Sequence, residues 1–266
     1  MPGFSQISAT QLARLIGMPD APVVIDVRLP EDRALDPRLI PGSFVHPHDG
    51  FDTLPARLVG RRAVVACARG RKLSEGVAAL LRLQGVPAEV PEGGTVGWAE
   101  AGLPMVPMAA LPPSNLWVTR HRPRIDRIAC PWLICRFVDP TARFLFVAPA
   151  EVAAVAERFG ATPFDIEGVH FSHRGEGCTF DAMIADFGLS SEALERLALV
   201  VRAADTDRHE LSPQAAGLLA ISVGLSRQFR DDLQQLGAGM GVCDALYRWA
   251  RDGYEEGHDW PAGRKA

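Results

Sequence analysis

Apolar residues along the first hundred positions follow two different spacings. Unbroken apolar runs at 23–27 and 64–66, and a shorter one at 88–90, are typical of strands buried on both faces. After the second run, apolar side chains recur at helical spacing, followed by a terminating glycine, at Leu73, Val77, Leu80, Leu81 and Gly85. Residues 8–11 can cap a short helix, whereas 30–53, rich in Pro, Asp and Gly, predict loops with at most one turn of helix. Strands that alternate with helices predict an α/β domain, a parallel sheet flanked by helices.

Beyond residue 115 the pattern changes to two strand-like runs and then helical periodicity. The runs at 116–119 and 143–147 have the composition of strands. Helical segments are predicted at 150–159, 180–187, 192–204, 226–236 and 242–251, with another opened by Ser212-Pro213. This order predicts a mostly helical α+β domain.

The length of the chain and the distribution of its prolines indicate how it is divided. With 266 residues, two domains are expected, each large enough to bury a core. Four prolines between residues 104 and 114 indicate a connecting segment. The predicted division is a first domain at 1–107, a Pro-rich linker at 108–115, a second domain at 116–253 and a loose polar tail at 254–266.

Composition and charge argue against several classes of function. The net charge of −4 gives no reason to expect nucleic acid or an anionic membrane as a partner. No apolar run approaches the roughly 20 residues of a membrane helix, and the N-terminus lacks the pattern of a signal peptide. The five cysteines show no disulfide or zinc spacing. A reducing, cytoplasmic location is therefore expected, and the oligomeric state is left open.

Cys67 stands where an apolar run ends and a helical pattern begins. At that position a thiol faces the unpaired N–H groups and the positive dipole end of the helix. Positive charge follows in the loop at Arg69, Arg71 and Lys72, and residues 54–73 contain no acid. Each factor favours thiolate over thiol, so Cys67 is predicted to be acidic and nucleophilic. The alternative is a half-buried cysteine at a strand end, which is the usual role of a free thiol.

Ordered motifs in the first domain resemble the rhodanese family of sulfurtransferases. They are the cysteine with its six-residue loop at 67–72, Asp26 with Arg28, the Ile-Pro-Gly turn at 40–42, and a closing segment with Gly93, Gly94 and Trp98. The resemblance covers about residues 5–107. Related phosphatases place an arginine six residues after the cysteine, where this chain has Leu73, so sulfur transfer is favoured over phosphate chemistry.

This resemblance implies a rhodanese-like fold and a persulfide on Cys67, with thiosulfate or another small sulfur-containing anion as donor. It implies no cofactor for the first domain. Asp26 and Arg28 resemble a pair that braces the sheet and the loop, without a chemical role. The substrate-binding residues that it implies are Ala68, Arg69, Gly70, Arg71 and Lys72.

Motifs in the second domain resemble the C-terminal domain of the chromate-resistance regulator family. The matching stretches are 117–120, 125–134, 172–173, 178–181, 202–207 and 215–218. The likeness spans about residues 116–252 and implies a link to chromate resistance. Well-known members of that family carry an N-terminal DNA-binding domain, and here the rhodanese-like domain takes its place. A direct transcriptional role is therefore not expected.

A cluster of arginines in the second domain is a candidate oxyanion site. Arg120, Arg124 and Arg127 surround a single acid, Asp126. Guanidinium groups suit tetrahedral oxyanions such as sulfate, thiosulfate or chromate. The alternative is a solvated basic segment that pairs with acids elsewhere.

A second set of side chains in this domain has the chemistry of metal ligands. Its members are His170, His173, Glu176, Cys178, Asp181, Asp205, Asp207 and His209. His173 and Asp205 are the predicted ligands of a divalent transition metal such as Zn, Mn, Fe or Ni. The alternative is a structural ion-pair network, because such networks also bring acids and bases together.

The residues together predict a sulfurtransferase linked to chromate or oxyanion resistance. Two other functions are also compatible with them. One is an oxyanion- or metal-binding stress sensor in which Cys67 is a redox switch, and the other is an oxidoreductase that acts under chromate stress. Persulfide formation on Cys67 would separate the enzyme from the binding protein.

Overall fold

The computed structural model describes residues 5–54 and 58–257, which form two units that share one apolar core. In chain order, the elements of the first unit are β1 (Gln6–Ile7), α1 (Ala9–Leu15), β2 (Val23–Asp26), α2 (Pro30–Leu35), β3 (Arg38–Leu39), β4 (Ser43–Val45), β5 (Ala63–Ala66), α3 (Lys72–Leu83), β6 (Ala88–Pro91), α4 (Gly94–Glu100) and β7 (Val106–Pro107). Most of the predicted tail at 254–266 lies outside the described residues.

A five-stranded parallel sheet with the order β1-β6-β5-β2-β4 is the frame of the first unit. Its central strand β5 is buried along its whole length, as the unbroken apolar run predicts. Val65 of β5 lies opposite Ile25 of β2. The predicted parallel sheet flanked by helices is confirmed.

Two parts of the first unit differ in how well the local sequence predicted them. Helix α1 begins with the predicted cap, since the Ser8 hydroxyl accepts a hydrogen bond from the Gln11 amide at 3.2 Å. The prediction for 30–53 allowed one turn of helix, which is α2, but it missed β3 and β4. Strand β4 pairs with β2 and β3 pairs with β7. Segments of two or three residues show no periodicity, and only their distant partners make them strands.

The second unit combines a small parallel sheet with a helical layer. Its elements are β8 (Leu116–Arg120), α5 (Asp126–Leu133), β9 (Arg143–Val147), α6 (Val152–Phe159), β10 (Thr162–Pro163), α7 (Thr179–Asp186), α8 (Glu192–Asp205), α9 (Ala215–Gln228) and α10 (Asp232–Asp252). The sheet has the order β10-β8-β9. A π-helical turn, Ile134–Val138, continues α5. The predicted mostly helical α+β architecture is confirmed.

One helix of the second unit was not predicted, and three predicted helix boundaries differ from the structure. Helix α5 was not predicted, and α9 begins at Ala215 rather than at Ser212-Pro213. The predicted segments 226–236 and 242–251 are instead the end of α9 and one long helix, α10. Gly237 does not end a helix as predicted, because the backbone of α10 packs closely on α5: a Cβ on Gly239 would lie 2.6 Å from Ile128 Cγ2. Gly253 caps the end of α10, as predicted. This packing decides the helix boundaries.

The two units meet around an aromatic cluster at the end of α10. Trp132, Phe137 and Tyr247 have ring centroids 5.3 to 5.7 Å apart. Gly17 of the first unit lies against two of these rings with φ of +85°. The Gly42 amide donates to the Phe137 carbonyl at 2.6 Å. Apolar burial and backbone hydrogen bonding therefore both join the units.

The connection between the units is short and partly ordered by hydrogen bonds. Met108–Ala110 forms one turn of 3₁₀-helix, and the Met108 amide donates to the Pro37 carbonyl at 2.9 Å. Part of the predicted linker is thus attached to the first unit. None of the helices in the described part of the chain has the length and apolar character needed to cross a bilayer.

The contact at Gly17 predicts a measurable contribution to stability. A Cβ on Gly17 would lie 2.4 Å from the Phe137 ring, so Gly17→Ala should lower the melting temperature more than Gly85→Ala. Gly85 has a similar φ of +79° but nothing within 4 Å. Both variants share the strain of about 1–2 kcal/mol for a left-handed residue. Equal melting temperatures would show that the contact between the units contributes nothing.

Candidate functional sites

Cys67 follows the last residue of β5 and opens the loop that leads into α3. Its sulfur accepts a hydrogen bond from the Arg71 amide at 3.3 Å and lies 3.1 Å from the Ser74 hydroxyl. Ser74 is fully buried in the first turn of α3, and its hydroxyl also lies 3.0 Å from the Arg71 carbonyl, so its one proton is donated either to that oxygen or to the thiolate. The sulfur therefore lies among polar groups of the loop and the helix start.

These hydrogen bonds set the charge of the thiol. Burial alone would raise the pKa of Cys67, but the Ser74 hydroxyl and the amides of Arg71, Ser74 and Arg69 outweigh it and lower the pKa. At the other four cysteines burial is the largest effect, and their pKa is raised. It raises the pKa of Cys135 and Cys243 to about 12 and also raises that of Cys130 and Cys178. Cys67 is the chain's most readily ionised cysteine.

Gly93 and Gly94, at the start of α4, hold the Cys67 loop in place. The first amides of α4 donate to loop carbonyls, Thr95 to Cys67 and Val96 to Ala68, both at 3.0 Å. A Cβ on Gly94 would lie 2.2 Å from the Cys67 carbonyl oxygen. Gly94 also has φ of +62°, so only glycine combines this conformation with this approach.

The charged residues near the loop have separate positions. Asp26 and Arg28 form a buried ion pair at 2.6 Å, and Arg28 also donates to the carbonyls of Asp36 and Arg38. This pair braces the end of β2, as predicted. The three predicted cations of the loop, Arg69, Arg71 and Lys72, are exposed. Cys67 itself is 6% exposed and packs at the edge of an apolar cluster of the first unit.

The second unit holds a cluster of three carboxylates around one imidazole. His173 Nε2 lies 3.1 Å from Asp205 Oδ2, 3.5 Å from Asp165 Oδ1 and 3.6 Å from Asp126 Oδ2. Four separate segments supply the members: Asp126 begins α5, Asp165 follows β10, His173 precedes α7 and Asp205 ends α8. We call these four residues the carboxylate cluster.

Burial and charge make the members of the carboxylate cluster unequal. Burial, with the charges of Asp205 and Asp165, raises the pKa of Asp126 well above its usual value. Burial likewise raises the pKa of Asp205. Asp165 is also buried, but His173 and Arg127 hold its pKa below the usual range. The hydrogen bond to Asp165 raises the pKa of His173 to about 9, so His173 carries a positive charge at neutral pH.

Comparison with known proteins assigns the second unit to a family. Residues 117–250, half of the chain, match the family described as ChrB, C-terminal domain. The chain belongs to this family. Protein ChrB of Cupriavidus metallidurans is 33% identical over 132 residues, 49% of this chain and 39% of that protein. The chain thus spans well under half the length of this curated relative.

Solved structures are similar to the first unit of this ChrB-family chain. A rhodanese-related protein from Thermoplasma volcanium is 27% identical over 39% of this chain and 98% of its own, with a TM-score of 0.34. Thiosulfate sulfurtransferase from Pseudomonas aeruginosa is 30% identical over 39% of this chain and 19% of its own, also with a TM-score of 0.34.

The predicted oxyanion arginines do not form one open site in the ChrB-family unit. Arg120 and Arg127 each lie 3.3 Å from Asp165 Oδ2, while Arg124 is exposed. Two of the three guanidinium groups therefore already pair with a carboxylate. Oxyanion binding by these residues stays a prediction.

The structure brings the predicted ligands His173 and Asp205 together. Among the other candidates, only the Cys178 side chain comes close enough to the cluster to lower the pKa of Asp126 by hydrogen bonding. His170 pairs with Asp186 at 3.0 Å and Glu176 pairs with Arg208 at 3.0 Å. Asp181 accepts from the Cys178 amide, and Asp207 is 95% exposed, 3.8 Å from His209. These residues lie in ion pairs or a helix cap around the cluster.

The sequence interpretation missed Asp126 and Asp165 as members of the carboxylate cluster. The available signal was an acid between two apolar residues at Phe164-Asp165-Ile166; Asp126 carried no such signal, because it lies between Ile125 and Arg127. The backbone offers a second mark. The non-glycine residues with positive φ in the described ranges, Arg122, Ile125, Asp165 and Asp207, lie in or beside the cluster's segments. Such strain is common at functional sites.

The hydrogen bonds at Cys67 predict how fast each cysteine reacts. At neutral pH, iodoacetamide should modify Cys67 before Cys130 or Cys243, as measured by peptide mass spectrometry over time. Ser74→Ala should move the midpoint of the pH profile for Cys67 to higher pH, because the thiolate loses a stabilising donor.

Ser43→Ala is the matched control for that measurement. Ser43 is also a buried serine of the first unit, 5% exposed, but it has no contact with Cys67. Its variant should leave the profile unchanged. Slower modification of Cys67 than of the buried cysteines would contradict the lowered pKa.

Proposed function

We propose that this chain is a sulfurtransferase that carries sulfur as a persulfide on Cys67 and acts in resistance to chromate or another oxyanion. The observation that carries the proposal is the hydrogen bonding of the Cys67 sulfur by the Arg71 amide and Ser74. It favours the nucleophilic thiolate in a protein whose other cysteines are held as thiols. The association with resistance rests on the ChrB-family second unit.

The reaction is a displacement at sulfur, with thiosulfate as the donor. The Cys67 thiolate attacks the outer sulfur of thiosulfate, a new S–S bond forms, and the original S–S bond breaks. Sulfite leaves with the electron pair of the broken bond, and Cys67 keeps a terminal persulfide anion. The amides of Arg69, Arg71 and Ser74 already donate to the sulfur and act as preorganised donors for the anion. The exposed Arg71 and Lys72 attract the anionic donor.

The second unit contributes no group to this displacement. Arg120 and Arg127 pair with Asp165, so an oxyanion there would have to compete with a carboxylate for both guanidinium groups. We therefore assign the sulfur chemistry to the first unit alone. An oxyanion site in the second unit is a separate proposal.

Persulfide formation on Cys67 is the direct test. The purified full chain is treated with thiosulfate, freed of excess reagent and digested without reductant. Mass spectrometry should find one added sulfur atom on the Cys67 peptide, and sulfite should appear in equal amount. Cys67→Ser should release no sulfite. An unmodified Cys67, or equal sulfite release by the variant, would refute the proposal.

The glycine pair under the loop supplies a second test. Gly94→Ala should abolish persulfide formation, because its Cβ would occupy the space of the Cys67 carbonyl and displace the loop. Gly76→Ala is the control, since Gly76 lies on the exposed face of α3 with nothing within 4 Å. It should keep full activity and stabilise the helix by about 1 kcal/mol. Equal rates in the two variants would show that the loop conformation does not matter for sulfur transfer.

A further inference from the structure

The carboxylate cluster has the geometry of a cation site. Three carboxylate oxygens, from Asp126, Asp165 and Asp205, lie between 3.1 and 3.6 Å from one point, the Nε2 atom of His173. The side chains come from four separate segments, so tertiary folding alone brings them together. One potential ligand atom each from Asp126, His173 and Asp205 lies within 4.8 Å of the other two.

The charges in the cluster are not balanced evenly. Asp165 faces the guanidinium groups of Arg120 and Arg127, both at 3.3 Å. Within the described residues, His173 alone forms an ion pair with Asp126 or with Asp205. A single imidazole is therefore shared by two carboxyl groups, one of which is completely buried. A divalent cation would balance both charges.

A second, independent observation is a buried oxygen atom of Asp126 that no donor in the described part of the chain reaches. Asp126 is 0% exposed, and its Oδ2 accepts a hydrogen bond from the Thr179 amide at 2.6 Å. Its Oδ1 has no hydrogen-bond partner among the residues that the structure describes. A buried carboxylate oxygen without a partner is costly, and native structures seldom keep one unless an ion or water completes it.

We propose that Asp126, His173 and Asp205 bind one divalent transition-metal ion of the Mn²⁺, Fe²⁺ or Zn²⁺ class. Each carboxylate supplies one oxygen and His173 supplies Nε2, whose proton leaves when the ion binds. Ligands bound at about 2.1 Å lie at most about 4.2 Å apart, so side-chain adjustments of about half an ångström close the site. One imidazole with two carboxylates suits this class better than Mg²⁺, which takes oxygen ligands alone, or Cu⁺, which takes sulfur.

Asp165 is a positioning residue rather than a ligand of this site. Its Oδ1 accepts from the Thr179 hydroxyl at 3.0 Å, and its Oδ2 faces the two arginines. These contacts hold it next to His173 without leaving a free oxygen. The ion is reached from the His173 side, because that side chain is 43% exposed and Asp205 is 18% exposed. Three protein ligands leave coordination positions open toward solvent.

Metal binding is measured on the full chain without a histidine tag, after treatment with a chelator. Titration with Mn²⁺ alone, followed by loss of the free-ion electron paramagnetic resonance signal, should give one ion per chain. A pulsed experiment on the bound ion should detect coupling to one imidazole nitrogen. Adding Zn²⁺ to the Mn²⁺-loaded chain should displace the Mn²⁺ and restore its free-ion signal. Failure to bind either ion at millimolar concentration, or bound Mn²⁺ without nitrogen coupling, would overturn the proposal.

Variants of two neighbouring histidines make the test specific. His173→Ala should weaken Mn²⁺ binding at least about tenfold, since even loss of an outer partner of a ligand costs that much. His170→Ala is the control, because His170 lies three residues away, is 71% exposed and pairs with Asp186 outside the cluster. It should bind Mn²⁺ like the unmodified chain. Both substitutions are on partly exposed side chains, and circular dichroism confirms the fold. Equal binding by the two variants would place the ion elsewhere.

Discussion

The contact between the Gly93-Gly94 turn and the Cys67 loop is the constraint on which the first unit's chemistry depends. Amides at the start of α4 take the carbonyls of Cys67 and Ala68, and this fixes the loop on its outer side. Gly70 meets the same turn, since its Cβ would lie 2.9 Å from the Gly94 amide nitrogen. With its carbonyls occupied by α4, the loop directs the Arg71 amide to the sulfur.

The position of Cys67 also follows from the buried sheet beneath it. Strand β5 is paired on both sides and buried on both faces, so its end cannot shift without breaking two ladders. In parallel sheets, reactive groups lie beyond the carboxyl ends of the strands. The rigid strand places the thiol, and the loop and α3 give it charge. Burial and ionisation, which usually oppose each other, are compatible here because the buried Ser74 and the amides of the loop donate hydrogen bonds to the sulfur.

In the second unit the buried charges are carboxylates, and neighbouring basic side chains stabilise them. Its carboxylate cluster places acids in the interior of a ChrB-family fold, where each unpaired charge is costly. Arg120 and Arg127 balance Asp165, and His173 is shared by the others. The cluster and Cys67 lie in different units, whose shared aromatic core at Trp132 and Tyr247 joins them into one body. The two sites share no residue, so the side chains of each can be substituted without touching the other.

Local sequence determined the features that depend on nearest neighbours in the chain. The apolar runs of β2, β5 and β6, the Ser8 cap and the strand-end position of Cys67 all rest on spacing or on contacts a few residues apart. The partners of His173 and Asp205 did not follow from spacing. Asp126, Asp165 and Asp205 are far apart in the sequence, and only the packing of α5, α7 and α8 brings them to one imidazole. The same holds for α10, which runs through three glycines because Gly239 packs on Ile128. Periodicity reports which face of a segment is buried, whereas the tertiary structure decides what that face meets.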